Sequence, residues 1–479
     1  MANDTDMPVA DQLQQFLRLG SERLRQPVPL HSHGTLTRLT GLVLEASGLR
    51  VPVGSQCHLQ MPGQEPVLAE VVGFAGDRAF LMPAGDIQGL SCGATVTPAE
   101  PYVPPLQLGD TEVPVLTKGV LRLPMGDGLL GRVVDSQGVP LDHAGPLANV
   151  QAETLDREPI NAMERAPVRE SLDTGVRAIN ALLTVGRGQR LGLFAGSGVG
   201  KSVLLGMMAR YTKADVIVVG LIGERGREVK EFVEDILGAQ DRSRAVVVAA
   251  PADAPPLLRM QGANYATAIA EHFRDKGENV LFIVDSVTRF AHAIREVATA
   301  AGEPPIARGY PASVFTELPR LLERAGPGAE GAGTITAIIS ILVDGDNHND
   351  PIADSTRGIL DGHIVLDRAL ADEGRYPPIN PLTSISRLAR KAWTSEQEKL
   401  VSRLKALIHR FEETRDLRLI GGYRNGSDPD LDMAIKQVPV IYDILKQTPG
   451  EKPALDAYAD LANALKAAAS GGQGMRQRG

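Results

Sequence analysis

The octapeptide Ala195-Gly196-Ser197-Gly198-Val199-Gly200-Lys201-Ser202 decides how the chain is read. It stands between a short apolar run, Leu191 to Phe194, and a second set, Val203, Leu204, Leu205, Met207 and Met208, with helical spacing. Strand, glycine-rich turn and helix in that order form the setting a phosphate-binding loop requires. The glycines let successive backbone N–H groups turn inward around phosphate oxygens, and the helix opening at the loop adds its positive end. Gly196, Ser197, Gly198, Val199, Gly200, Lys201 and Ser202 are therefore the candidate nucleotide contacts. Lys201 would reach the β- and γ-phosphates, and the Ser202 hydroxyl would ligate magnesium. The loop departs from the strict pattern once, with Ala195 where glycine is usual.

Phosphoryl transfer to water also needs a second magnesium anchor and an oriented water. Leu281-Phe282-Ile283-Val284-Asp285 is an apolar strand ending in a carboxylate, the pattern of a Walker B site, and makes Asp285 the second metal candidate. Gly223-Glu224-Arg225-Gly226-Arg227-Glu228 follows the strand next after the loop. Glu224 thereby falls at the carboxyl end of the sheet, where a carboxylate can polarise the attacking water. Arg227 and Glu228 read as solvated positions at a helix start.

Apolar runs alternate with helical patterns from about 106 to 385, which argues for a mostly parallel sheet covered on both faces. Its buried-strand candidates are Asp215–Ile222, Ala245–Ala250, Val280–Val284 and Ile335–Val343. Val229, Phe232, Val233, Ile236 and Leu237 trace one helix that ends at Gly238. Before this core, residues 34–105 alternate with period two between Gly, Pro and Asp turns and suggest a small β-barrel or sandwich. Tyr102-Val103-Pro104-Pro105 reads as a linker. Earlier still, Leu13, Phe16, Leu17 and Leu24 share a face of a helix over 10–25, which either packs on its own domain or docks on a partner. Past 385 helices take over, with a capping box at Thr394 and Gln397 and a stripe of Leu400, Val401, Leu404, Leu407, Ile408 and Phe411. The tail from Ala467 reads as disordered.

Fifty basic against 58 acidic side chains give a net charge of −8, and aromatics are 4% of the 479 residues. A nucleic-acid surface would be basic and rich in stacking rings, so that class is set aside. Cys57 and Cys92 have no pairing or metal-binding spacing and are expected to be reduced, buried and inert, in keeping with a cytosolic protein. The acidic start lacks a secretory pattern, and no window reaches the apolar length of a membrane span, so membrane association would come through partners.

Four segments carry a family resemblance: Gly192–Ser202, Gly223–Leu237, Gly302–Gly326 with its Gly309-Tyr310-Pro311 and Leu318-Pro319-Arg320, and Asp350–Arg368 with its Asp-Pro-Ile-Ala-Asp and Leu-Asp-Gly-His-Ile-Val-Leu-Asp-Arg. They resemble the flagellum-specific export ATPases, relatives of the injectisome ATPases of type III secretion and, more distantly, of the rotary ATP synthase β subunit. Ala195 is the form such export ATPases usually carry. The resemblance implies an α/β fold: a small N-terminal β-barrel, a RecA-like P-loop core with a mostly parallel sheet, and a C-terminal helical domain. The expected divisions are 1–30 as a partner-binding segment, 31–105 as the barrel, 106–385 as the core and 386–479 as the helical domain with its tail.

The resemblance also implies roles. Glu224 matches the general base, and Arg225 would help hold the γ-phosphate. Arg387 in Ser384-Ile385-Ser386-Arg387 matches an arginine finger reaching into a neighbour's site. Tyr376 in Arg375-Tyr376-Pro377 matches the aromatic that stacks on adenine. Arg308–Arg320 resembles the loop facing a central pore, and His363, without metal spacing, reads as structural. A homo-hexamer with nucleotide between neighbours is implied, using ATP and Mg2+. Implied partners are a regulatory, stator-like export protein at Met1–Arg25, a central stalk protein, export-gate membrane proteins and chaperone–cargo complexes, with no nucleic acid. The implied place is the cytoplasm, peripheral at the inner-membrane export apparatus. Rival readings are an injectisome ATPase, a non-catalytic nucleotide-binding ring subunit, an RNA-translocating helicase and a rotary synthase β subunit.

Overall fold

The computed structural model describes residues 9–24, 33–99, 121–343 and 350–470, apart from 156, 158, 159, 452 and 455. The 102–105 linker and the tail beyond Ser470 lie outside these residues, as do the divisions at 30 and 105. Two compact units are distinguished: residues 1–122 with 297–303, and 123–296 with 304–479.

In the first unit the helix α1 (Val9–Leu24) buries Leu19 at 2% exposure but leaves Leu13 and Leu17 at 52% and 61%. Six strands follow: β1 (Gly34–Thr40), β2 (Val43–Ser47), β3 (Gln56–Gln60), β4 (Val67–Ala75), β5 (Arg78–Pro83) and β6 (Thr95–Pro98). They close as an antiparallel barrel in the order β1-β2-β5-β4-β3-β6, which settles barrel against sandwich and leaves no open edge. Alternate residues, among them Leu36, Leu44, Leu59, Val71, Leu81 and Val96, fill its core. Cys57 lies in that core, and burial pushes its thiol up to about 11, so it is inert. Cys92 corrects the expectation of burial. It sits in the turn before β6, exposed, with its thiol 3.3 Å from the Thr37 carbonyl.

The second unit is built on β7 (Val133–Asp135), β8 (Arg190–Ala195), β9 (Val216–Ile222), β10 (Ala245–Ala250), β11 (Asn279–Asp285), β12 (Thr334–Leu342), β13 (Gly362–Val365) and β14 (Ile385–Ser386). Their order is β14-β13-β8-β12-β11-β9-β10-β7, parallel except for β14 against β13, with Gly326–Pro327 paired to β12. Every residue of β9 and β10 is buried, as unbroken Val, Ile and Ala runs require when helices cover both faces.

The helix α2 (Lys201–Tyr211) leaves the end of β8, and α3 (Gly226–Glu231) follows β9. The expected single helix to Gly238 is interrupted. Phe232–Ile236 is a π-turn, in which the Leu237 N–H reaches back to the Phe232 carbonyl at 2.9 Å. The turn presses Ile236 on α2, where a Cβ at Gly206 would meet Ile236 Cγ2 at 2.0 Å, so only glycine fits there. Next come α4 (Pro256–Asp275) and α5 (Pro351–Ile359). The C-terminal helices are α6 (Ser395–Glu413), α7 (Pro429–Leu445) and α8 (Ala457–Ser470). α6 carries the expected capping box of Thr394 and Gln397, and its Leu404, Leu407 and Ile408 join the same core as the sheet. α8 runs through Ala467 to Ser470, so helix replaces the expected disorder there.

Near the N-terminal ends of the strands, Arg324 donates to both oxygens of Glu271, at 3.1 and 2.6 Å. Its Nη1 also donates to Asn264 Oδ1 and its Nη2 to the Leu155 carbonyl. Both side chains of this pair are at least nine-tenths buried.

Candidate active site

The phosphate loop takes its shape from glycine. Gly198 and Gly200 have φ of 76° and 99°, values an L-residue adopts only with strain. α2 starts directly after Gly200 with no side chain capping its first turn, so those N–H groups face the loop. Lys201 opens the helix, with Ser202 beside it in the first turn, half-buried.

The parallel sheet brings three strand ends to this point. Lys201 Nζ donates to Glu224 Oε1 at 3.3 Å and to Asp285 Oδ1. Ser340 Oγ, on β12, donates to the same Asp285 oxygen at 2.6 Å. Burial raises the Glu224 carboxyl, neighbouring Asp285 raises it further, and Lys201 only partly offsets both, leaving it at about 7. For Lys201, burial opposes the charge, but the two carboxylates outweigh it and hold its pKa above the ordinary lysine value. One cation thus faces two carboxylates in a mostly desolvated recess.

Beside the loop lies a cavity of about 380 Å3 lined by Val203, Leu204 and Met207 of α2, by Tyr376, Pro377 and Pro378, and by Lys446, Thr448 and Pro449 past α7. Tyr376 is 51% exposed, and its ring comes within 4.0 Å of the space above Gly200. The segment is anchored by its neighbours. The Arg375 guanidinium stacks on Tyr442 with its carbon 3.8 Å from the ring centre and pairs with Glu373 at 2.9 Å. The Gln447 N–H bonds the Tyr376 carbonyl at 2.9 Å, while the buried Gln447 side chain bonds Arg177 N and the Gly175 carbonyl. The flat apolar walls and exposed phenol ring suit a nucleobase.

The sequence missed part of this arrangement. Arg368 donates to the Ser197 carbonyl at 2.9 Å and steadies the loop from the end of β13. Its signal was the Leu366-Asp367-Arg368 end of a segment already singled out. Ser340 is a buried hydroxyl inside an apolar strand, itself a sign of a polar partner. Lys446–Pro449 carries no local signal.

Two expected site residues stand apart from Lys201. Arg225 is 85% exposed, with Glu228 at 3.9 Å, and Arg227 forms a surface pair with Glu231 at 2.9 Å. Arg387 follows the edge strand β14 and is exposed; its Nη2 donates to the Arg357 carbonyl at 3.2 Å. The Arg308–Arg320 segment begins in a hairpin, Pro305–Ala307 with Tyr310–Pro311, and runs into the helix Ala312–Glu323, with Ile306 65% exposed. Among the described residues no group of three or more His, Cys, Asp or Glu side chains could hold a metal ion, and no helix is long and apolar enough to cross a membrane.

Comparison with known proteins covers most of the chain. Residues 36–99 match the β-barrel domain and residues 175–386 the nucleotide-binding domain of the ATP synthase alpha/beta family, and residues 393–464 match the C-terminal domain of the type III secretion ATPase EscN. The flagellum-specific ATP synthase of Rhizobium meliloti is 66% identical over 390 residues, 80% of this chain and 82% of that protein. Its counterpart in Salmonella typhimurium is 55% identical over 418 residues, 87% and 89% of the two chains. Among solved structures, the assembled EscN of the enteropathogenic E. coli type III secretion system superposes with a TM-score of 0.81 at 39% identity, covering 91% of this chain and 99% of that one. EscN in complex with its central stalk EscO matches with a TM-score of 0.78 at 39% identity, over 90% and 100%.

Proposed function

The chain belongs to the family of flagellum-specific ATP synthases, and from that premise we propose that it hydrolyses ATP with magnesium to energise export of flagellar proteins through a type III secretion apparatus. The observation that carries this reading is the placement of Lys201 between Asp285 and Glu224 at the mouth of the phosphate loop. A recess with surplus negative charge beside open N–H groups fits a phosphate chain together with a divalent cation. Ser202 and Asp285 would hold the magnesium ion, which would neutralise developing phosphate charge. Backbone N–H groups of Ser197 to Ser202 bind the phosphates, and Lys201 exchanges its carboxylates for phosphate oxygens. Glu224, a stronger base than an ordinary carboxylate, orients the attacking water and takes its proton. The Tyr376 ring holds the base, and Arg225 supports the γ-phosphate from its exposed position.

Arg387, exposed just past the edge strand β14, completes the site of a neighbouring copy in a homo-hexamer. Leu13 and Leu17 of α1 form the apolar surface assigned to a regulatory, stator-like partner, and pull-down with residues 1–25 removed is its test. The Arg308–Arg320 segment meets a central stalk protein, and further contacts to export-gate membrane proteins and chaperone–cargo complexes would hold the assembly in the cytoplasm at the inner membrane. Higher identity to the flagellar relatives than to EscN favours the flagellar system over the injectisome.

The test is magnesium-dependent ATP hydrolysis against protein concentration. Specific activity that climbs with concentration, and falls about 10²- to 10⁴-fold in Glu224→Gln, supports an enzyme completed at subunit interfaces. Activity absent at every concentration would instead indicate a ring-shaping subunit.

A further inference from the structure

The ring of Phe194, the residue just before the phosphate loop's Ala195, is held on several sides. It is buried at 1% exposure and occupies the space left by Gly192, where a Cβ would meet Phe194 Cε2 at 2.6 Å. The Arg357 guanidinium carbon lies 4.6 Å from its centre, and the His363 ring meets it edge-on at 5.6 Å. Each of these neighbours also supports the segment that ends in Arg387. His363 Nε2–H donates to the Thr383 carbonyl at 2.9 Å, and Arg387 Nη2 donates to the Arg357 carbonyl at 3.2 Å.

That last bond has a structural opening. In a continuing helix the Asp361 N–H would take the Arg357 carbonyl, but it bonds the Arg190 carbonyl at 2.9 Å instead. α5 ends there, and its last turn offers a carbonyl and its negative end to a cation. The backbone of Arg387 is fixed as well, through its N–H to the Asp361 carbonyl at 2.9 Å. Arg387 thus stands on a shelf made by Arg357 and Asp361, and the shelf rests on Phe194.

We propose that Arg357 is a positioning residue for Arg387, and that its seat on Phe194 ties the arginine a copy offers its neighbour to the strand carrying that copy's own phosphate loop. The proposal rests on the reading of Arg387 as acting in trans. In this role Arg357 acts through Arg387 and not on the nucleotide. It sets the height and direction of the α5 end from which Arg387 is presented, and a displacement of about 1 Å in such a group can cost up to ~10²-fold in rate.

Mixed assemblies separate this role from a merely structural one. Glu224→Gln copies keep Arg387 but lack the base, and Arg387→Ala copies keep the base but lack the arginine. ATP hydrolysis by the mixture reports Arg387 of the first acting on sites of the second. Arg357→Ala added to the Glu224→Gln copies is expected to lower that rate about 10- to 100-fold. The same substitution added to the Arg387→Ala copies is expected to leave it unchanged, which also shows that the substituted chain folds. Arg357→Lys, which keeps a cation over the ring, is expected to restore the first mixture. Equal loss on either kind of copy, no loss on either, or no rescue by lysine would overturn the proposal. A silent starting mixture would remove Arg387 from its trans role and this proposal with it, leaving Glu224 to be judged by the single-variant assay.

Discussion

Two groups of charged side chains are taken out of water in the same sheet unit, and they are balanced differently. At the N-terminal strand ends, Arg324 and Glu271 match charge for charge, and the guanidinium finds a carboxylate, an amide oxygen and a carbonyl. At the C-terminal ends, Lys201 faces two carboxylates, and one oxygen of Asp285 already serves both Lys201 and Ser340. The first group is balanced within the chain, whereas the second sets two carboxylates against one cation. Burial alone therefore does not mark function; an uncancelled charge beside open backbone donors does.

The largest effect that bears on this contrast comes from outside both groups. Arg387→Ala is expected to lower ATP hydrolysis about 10³- to 10⁵-fold, or roughly 4–7 kcal/mol of transition-state stabilisation, with little change in unfolding midpoint because the side chain is exposed. A loss of only a few-fold would mean the second group needs nothing from a neighbour. Next, Glu271→Ala is expected to destabilise the fold by about 3–5 kcal/mol by stranding Arg324, while Glu224→Gln shifts stability by less than about 1 kcal/mol because it relieves repulsion with Asp285. Denaturant unfolding of both variants measures this, and equal losses would break the comparison. Smallest, Tyr376→Ala is expected to weaken nucleotide binding by about 1–2 kcal/mol, roughly tenfold in KM with kcat nearly unchanged. A fall in kcat instead would draw Tyr376 into the charged group's chemistry.

What could be read from the sequence follows the range over which each signal acts. The loop, the Asp285 strand and the Thr394 capping box are local patterns, and β10 matches its expected bounds because a buried parallel strand is a plain apolar run. The π-turn at Phe232–Ile236 was not legible, since its apolar spacing is that of an α-helix and the extra residue is set by packing on Gly206. Cys92 was misjudged because turn residues take their exposure from neighbouring loops. Arg368 and Lys446–Pro449 were missed because only the assembled sheet and C-terminal helices bring them to the loop. The roles proposed for Arg387 and Tyr376 came from resemblance and not from any pattern in the residues.

The cavity beside the phosphate loop is walled on one side by Lys446, Thr448 and Pro449, and Gln447 fastens that wall to the backbone of Gly175, Arg177 and Tyr376. Translation runs from the N-terminus, so a ribosome-bound chain has its phosphate loop and both carboxylates long before this wall exists. A chain still short of residue 449 therefore carries Lys201 and its two carboxylates but lacks one wall of the cavity beside them.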